Sequence, residues 1–166
     1  MKSRVVLLAT LLLPSFARAA TAQSHECSHS ADVARRGDHV MGFDHEKTVH
    51  HFRLTKTGGS IEAEAKDGTD TESRDQIRMH FAHIAKMFSE GDFEAPMLIH
   101  ERVPPGVPEM KKRRQEIRYD VKESPNGGRI VITTKDSRAL AAIHDFLRFQ
   151  IRDHQTGDSL NVTAEN

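Results

Sequence analysis

The chain repeats one order of elements twice: two alternating segments joined by a Gly-Gly turn, followed by an amphipathic segment. In the first unit, residues 48–66 alternate around Gly58-Gly59 and residues 71–90 carry apolar side chains at helical spacing. The second unit repeats this pattern around Gly127-Gly128. Alternation predicts half-buried strands, and the 3.6-residue spacing predicts helices. We therefore expect a two-layer α+β fold, a ββα-ββα pseudo-duplication with a four-stranded antiparallel sheet and two helices on one face.

Local signals set the expected ends of these helices. Ser73 and Gln76 have capping-box spacing, Gly91 is a typical helix stop, and Asp136 is a typical N-cap. Between the two units, residues 93–108 contain four prolines. Proline removes a backbone donor, so we predict an irregular Pro-rich loop that wraps over the domain.

The N-terminus has the composition of an export signal. Lys2 and Arg4 precede a nine-residue apolar run, and Ala17-Arg18-Ala19 suits a signal peptidase. The run is too short to span a bilayer. We predict a signal peptide over 1–19, with Ala22 as an alternative cleavage point, and a location in the bacterial periplasm.

The remaining boundaries follow from periodicity. Residues 20–44 lack apolar periodicity, which favours a flexible leader that contains histidines. Residues 45–158 form the predicted single domain, and residues 159–166 a disordered tail.

Charge and cysteine content restrict the partners. The whole chain has 24 basic and 24 acidic residues, and loss of the signal peptide leaves 21 basic residues, a net charge of −3. This balance argues against nucleic acid or an anionic membrane surface. The single cysteine, Cys27, cannot form an internal disulfide and is expected to be free, intermolecular or metal-bound. A metal ion or another periplasmic protein is the expected partner, and the oligomeric state stays open.

Histidine is abundant, with eleven residues in the chain. The alternation puts His50 on the apolar face of its strand, and helical spacing puts His80 and His144 beside apolar stripes. Imidazole with thioether donors suits copper, and imidazole with carboxylate suits zinc or nickel. The candidate ligands of the core and its closing loops are His39, Met41, His50, His80, His100, His144 and His154. Hydrogen-bonded histidines at the core boundary are the alternative interpretation.

The leader contains a second candidate set. The sequence His25-Glu26-Cys27-Ser28-His29 has the letters of a zinc peptidase motif, but it lacks apolar neighbours at helical spacing and precedes the predicted core. We therefore expect no peptidase. Cleavage after Ala22 would instead put His25 third in the chain, where a terminal amine, two amides and an imidazole bind Cu(II) or Ni(II). The leader ligands would be His25, Cys27 and His29.

The sequence leaves three candidate functions. The chain has no G-x-S-x-G, P-loop, G-x-G-x-x-G or Cys-x-x-Cys sequence. We expect an exported metal-binding protein without catalytic activity. One alternative is a non-enzymatic module that binds a protein or peptide and has structural or pH-responsive histidines. The other is a small hydrolase that uses His and Glu, with His100-Glu101 as its candidate loop.

A longer pattern covers about residues 36–158: RGDHVMGFD, TVHHF, RMHFAHIAKMFSEGDFEAP, IHERVPPGVP and FLRFQIRDHQTGD. The chain resembles a family of small exported bacterial proteins, rich in histidine, whose activity is not settled. Its pattern includes His39-Val40-Met41, His50, His80, His100, His144 and Asp153-His154. Some similar sequences carry the label aspartate carbamoyltransferase, but this chain is much shorter than that enzyme and lacks its Ser-Thr-Arg-Thr-Arg phosphate-binding sequence. The resemblance implies a common fold and histidine set, and no reaction.

Overall fold

The computed structural model describes the backbone of residues 19–163 and the side chains of His29 and of residues 31–163. The helices and strands, in chain order, are α1 (Ala19–Met41), β1 (Thr48–Thr55), β2 (Gly58–Ala65), α2 (Thr71–Glu90), α3 (Glu94–His100), α4 (Val107–Lys112), β3 (Ile117–Ser124), β4 (Gly127–Thr134) and α5 (Ser137–Asp153). A short 3-10 turn, Arg114–Glu116, precedes β3. The predicted signal peptide, apart from Ala19, lies outside the described residues.

The four strands form one antiparallel sheet in the order β1-β2-β4-β3. The register aligns Phe52 with Ile61 and Ile61 with Ile130, so one face of the sheet carries a buried apolar row. The neighbouring row pairs Glu62 with Arg129 on the opposite, more exposed face. The predicted α+β fold and its four-stranded sheet are therefore confirmed.

Each of the two long helices packs mainly on the strands of the other unit. α2, which follows β1 and β2 in the chain, packs mainly on β3 and β4. α5, which follows β3 and β4, packs on β1 and β2 as well as β4. Each unit therefore supplies the helix that covers the other unit's strands, and the apolar side chains of both units join one core.

Carboxylates begin both long helices. Asp70 caps α2 by accepting hydrogen bonds from the backbone nitrogen of Ser73 at 3.0 Å and from its hydroxyl at 2.7 Å. The predicted Ser73 and Gln76 capping box is therefore replaced by a cap three residues earlier. Asp136 caps α5 as predicted. Gly91 ends α2 with φ 82°, a left-handed conformation that favours glycine.

The segment expected to be a flexible leader is instead mostly helical, since α1 runs from Ala19 to Met41. Val33 is 1% exposed, and Gly37 is also buried. The side chain of Arg36 donates to the carbonyl oxygen of Ile99 at 2.6 Å, which ties α1 to α3. The helix has few large apolar residues, so polar contacts supply much of its attachment, and a search for apolar periodicity misses it.

The expected Pro-rich loop also contains helices, α3 and α4. Pro96 lies in the first turn of α3, and Pro108 in the first turn of α4. A proline in the first turn sacrifices no hydrogen bond, because those backbone nitrogens have no partner within the helix. The prolines therefore start these helices and do not prevent them.

The C-terminal segment lies along the free edge of β1. The backbone nitrogen of Thr163 donates to the carbonyl oxygen of Leu54 at 2.9 Å, and Arg148 donates to the carbonyl oxygen of Leu160 at 3.0 Å. Residues 159–163, expected in a disordered tail, are thus fixed to the domain. Residues 164–166 lie outside the described part.

Within residues 19–163, none of the helices combines the length and the apolar character that a membrane crossing requires.

We predict that Gly106→Ala destabilises the fold strongly. Gly106 has φ +84°, and a Cβ atom there would lie 2.0 Å from the carbonyl oxygen of Ala142 in α5. Gly157 has a similar φ of +76° with open space around it, so Gly157→Ala is the matched control. Urea unfolding should show a loss of about 1 kcal/mol for the control and roughly 3 kcal/mol for Gly106→Ala. Equal losses would contradict the close contact with α5.

Candidate metal centre

Side chains from five parts of the chain meet at one cavity of about 70 Å³ inside the domain. His50 comes from β1, His80 from α2, and His100 from the last residue of α3. His154 directly follows α5, and Met41 ends α1. Five of the seven candidate ligands of the core and closing loops therefore lie around a single space.

The rest of the cavity wall is almost entirely apolar. Phe52 and Ile61 contribute from the sheet, Phe81 and Ile84 from α2, and Phe146 from α5. None of the described residues that line the cavity is an aspartate, glutamate, lysine or arginine. Imidazole nitrogens, one thioether and the Gln150 amide are the polar groups in an otherwise hydrocarbon environment.

His50 occupies the centre of this arrangement. Its ring is nearly parallel to the rings of Phe43, at 5.6 Å between centroids, and His154, at 6.3 Å. Its Nε2 atom is inaccessible to solvent and has no hydrogen-bond partner among the described residues. The rings of His80 and His154 likewise form no hydrogen bond with the side chains or backbone that the structure describes. Phe43 contacts His80 edge-on at 5.6 Å.

Burial keeps these three imidazoles neutral. It lowers the pKa of His50 to about 4, with a smaller contribution from the neighbouring His51. It also lowers the pKa of His80 to about 4 and that of His154 to about 3. Removing a charged imidazolium from water is unfavourable, which explains the direction of all three shifts. At neutral pH each ring therefore has an unprotonated nitrogen, the form that binds metals.

His100 differs because both of its ring nitrogens have partners. Nδ1 lies 2.5 Å from a carboxylate oxygen of Asp153, and Nε2 lies 3.0 Å from the amide oxygen, Oε1, of Gln150. Burial lowers the pKa of His100 although Asp153 favours its protonated form. A neutral ring that donates from Nδ1 needs a donor at Nε2. Rotation of the Gln150 amide by 180° would exchange Oε1 for Nε2, which has no partner among the described residues, and supply that donor. Asp153 therefore fixes the orientation of the His100 ring. The centroid of this ring lies 4.9 Å from that of His154.

Asp153 connects three segments of the chain. Besides His100, its carboxylate accepts from Nε2 of His29 at 3.1 Å and from Arg102 at 2.6 Å. Burial alone would raise the pKa of Asp153, but the hydrogen bonds from His100 and His29 outweigh it and hold the pKa below its usual value. The ionised carboxylate thus fixes α1 and the end of α3 against α5.

Two candidates of the core set lie elsewhere. His144 uses Nε2 to contact the carbonyl oxygens of Thr55 and Gly58, at 2.9 and 3.0 Å, and so fixes the β1–β2 turn to α5. His39 is exposed on α1. Both lie outside the cavity lining.

The leader candidates are described only in part. The backbone of residues 25–29 belongs to α1, although we expected a flexible segment there. The side chains of His25 and Cys27 lie outside the described residues. His29 is described, and its ring contacts Asp153.

A second, outer chamber of about 290 Å³ adjoins the cavity. Met41, His50 and His154 line both spaces and therefore form the boundary between them. The outer wall comes from α1, where Val33 and Gly37 face the chamber.

A small acidic group lies nearby at the surface. Asp38, Asp44 and His45 have ligand atoms within 4.8 Å of one another, and among the described side chains they are the one group of three His, Cys, Asp or Glu residues that meets this distance. Nδ1 of His45 lies 2.7 Å from Asp38. The group could hold a cation, and its exposure leaves the carboxylates hydrated. Reasoning from clustered histidines misses this group, although the spacing of Asp38 and Asp44-His45 around the turn after α1 is a sequence signal for it.

No protein-family model matches the chain, and neither curated proteins nor solved structures show a significant match to it. Its function therefore has to be inferred from the geometry of the site.

We predict that the neutral histidines make stability fall in acid. The ordinary histidine pKa is 6.5, whereas those of His50, His80 and His154 lie near 3 to 4 in the folded state. Below pH 6.5 the unfolded chain binds protons that the folded chain does not, so the free energy of unfolding should decrease as pH falls from about 6.5 to 4. Each histidine contributes a slope of about 1.4 kcal/mol per pH unit.

Urea unfolding across this range, on metal-free protein, measures the slope. His80→Gln should reduce this slope by about 1.4 kcal/mol per pH unit, the contribution of one bound proton. His83→Gln, one turn further along α2 and exposed, is the matched control and should leave it unchanged. An unchanged slope in His80→Gln would show that His80 is not held neutral.

Proposed function

We propose that this protein binds a transition-metal ion in the internal cavity, with donors drawn from Met41, His50, His80 and His154. One observation carries the proposal: the Nε2 atom of His50 is buried beside an apolar cavity without a hydrogen-bond partner among the described residues. The partly exposed rings of His80 and His154 line the same cavity and also lack such partners. A buried polar group without a partner is costly, and apolar side chains would fill the same space without that cost. A bound metal gives these nitrogens the partner they lack.

His144 is a histidine with a structural role. Its ring nitrogen contacts two backbone carbonyls and closes a turn. His100 is similarly satisfied by Asp153 and Gln150. The contrast favours a ligand role for His50, His80 and His154 over the structural role that the alternative, a binding module, assigns to all the histidines.

The donors also fit the chemistry of the ion. Imidazole binds zinc, copper and nickel, and thioether sulfur binds soft ions. Because burial keeps the rings neutral, protons compete weakly with a metal near pH 7. Some movement is required, since the nitrogens of His50, His80 and His154 do not all lie within 4.8 Å of one another. Binding would draw the rings and Met41 toward a common point.

The proposal includes export of the chain. Residues 1–19 have the composition of a signal peptide, and cleavage after Ala19 would leave α1 intact from its second residue. Membership of the exported, histidine-rich family stays a prediction. Mass spectrometry of the mature protein should find Ala20 or Gln23 first, and a chain that retains Met1 would contradict export.

Metal titration tests the function. Protein stripped of metal should bind one equivalent of a transition-metal ion, measured by calorimetry and by elemental analysis after gel filtration. His50→Ala and His154→Ala should each lower the affinity by more than about 100-fold, because each removes a donor and loss of a residue that only orients a donor already costs roughly 10- to 100-fold. His83→Ala is the matched control on α2 and should bind as the unmodified protein does.

The surface group needs its own control. Asp44→Asn and His45→Gln remove two of its ligands and leave the cavity donors in place. Binding that survives these two changes and is lost in His154→Ala places the ion in the cavity. Binding that is lost with Asp44 and His45 but survives in His154→Ala would overturn the internal site.

A further inference from the structure

The charge of the cavity discriminates between ions. Its described lining contains no acidic or basic side chain, and the buried carboxylate of Asp153 is engaged by His29, His100 and Arg102. The cost of moving an ion from water into a medium of low dielectric rises with the square of its charge, so a divalent ion costs about four times as much as a monovalent one. Zinc or nickel would bring two charges into this cavity, where no carboxylate lines the wall, and Cu(I) brings one.

The position of Met41 points the same way. Its side chain lines both the cavity and the outer chamber, as do His50 and His154. Gly37 faces it from one turn earlier in α1, and a Cβ atom at residue 37 would lie 3.0 Å from the Met41 methyl carbon. The absence of a side chain at Gly37 therefore gives the thioether the space it occupies. Thioether sulfur is a soft donor that favours Cu(I) over harder divalent ions.

The number of available donors also favours Cu(I). Structural zinc sites hold four ligands in a closed tetrahedron. Here the three free imidazoles are not grouped within 4.8 Å, and no carboxylate in the described lining completes a tetrahedron. Cu(I) is stable with two or three soft or imidazole ligands, a set that His50, His154 and one sulfur can provide.

Resting on the proposed function, we infer that the ion is Cu(I), held by Met41, His50 and His154 at the boundary between the inner cavity and the outer chamber. These three residues line both spaces, so the ion lies where the cavity and the chamber meet. His80 lines the cavity but not the chamber, and it is a further nitrogen donor for the ion.

Competition titrations test the identity of the ion. Under anaerobic, reducing conditions, the full mature chain is titrated with Cu(I) against bicinchoninate, and in parallel with Zn(II) and Ni(II) against a chromogenic chelator. We expect one tight Cu(I) site, with an affinity for Cu(I) at least about 100-fold above that for Zn(II). X-ray absorption of the Cu(I) form should show one sulfur and two nitrogen or oxygen neighbours.

Met41→Leu is the decisive variant, since it keeps the volume and removes the sulfur. It should lower Cu(I) affinity by about tenfold or more and abolish the sulfur signal, with Zn(II) binding unchanged. Met79→Leu is the matched control, because Met79 is 71% exposed on α2. Circular dichroism confirms that each variant is folded.

The outcomes separate the two proposals. Tight binding of Zn(II) or Ni(II) with no preference for Cu(I) would overturn this inference and leave the metal-binding function standing. Cu(I) affinity that is unchanged in Met41→Leu would overturn the thioether ligand in the same way. Failure of the unmodified protein to bind any of the three ions would overturn both.

Discussion

The burial of α5 is the constraint on which the rest of the structure depends. One side of the helix packs on the sheet through Ile143 and Leu147, both fully buried, and the other side is covered by α4 and the segment around it. A helix enclosed on both sides has little freedom to rotate or slide. Its last turns therefore hold Gln150, Asp153 and His154 in fixed positions, and each of these residues helps to build the candidate site.

The site combines two ways of placing histidine inside a protein. His100 and His144 are stabilised by hydrogen bonds to Asp153, Gln150 and backbone carbonyls, and they stiffen the frame. His50 and His154 lie on that frame and line the apolar cavity. The hydrogen-bonded rings of His100 and His144 thus stabilise the frame that positions His50 and His154. Asp153 does this indirectly, because its contacts to His29 and Arg102 also keep the covering segments in place.

Much of the sheet and its two long helices could be predicted from periodicity, because their inward positions repeat with period 2 or 3.6. The same rule puts His50 beside Phe52 and Leu54. It fails for α1, where Val33 is the one large apolar residue buried among the described side chains of the helix and polar contacts fix the rest. It also fails for α3 and α4, because proline predicts a break although first-turn positions tolerate it. The grouping of His100 with His154 depends on how α3 lies against α5, and local sequence does not encode that distance.

The exchange of helices between the two units has a consequence for how the chain acquires its structure. When only the first ββα unit exists, α2 lacks the strands on which it packs, and β1 and β2 lack most of their cover. Neither unit can therefore complete its core alone, and many stabilising contacts join residues far apart in the chain. Such a topology favours a single cooperative transition that waits for the C-terminal helix. Until α5 is in place, the nascent chain exposes its apolar sheet face and depends on rapid completion, or on a chaperone, to avoid aggregation.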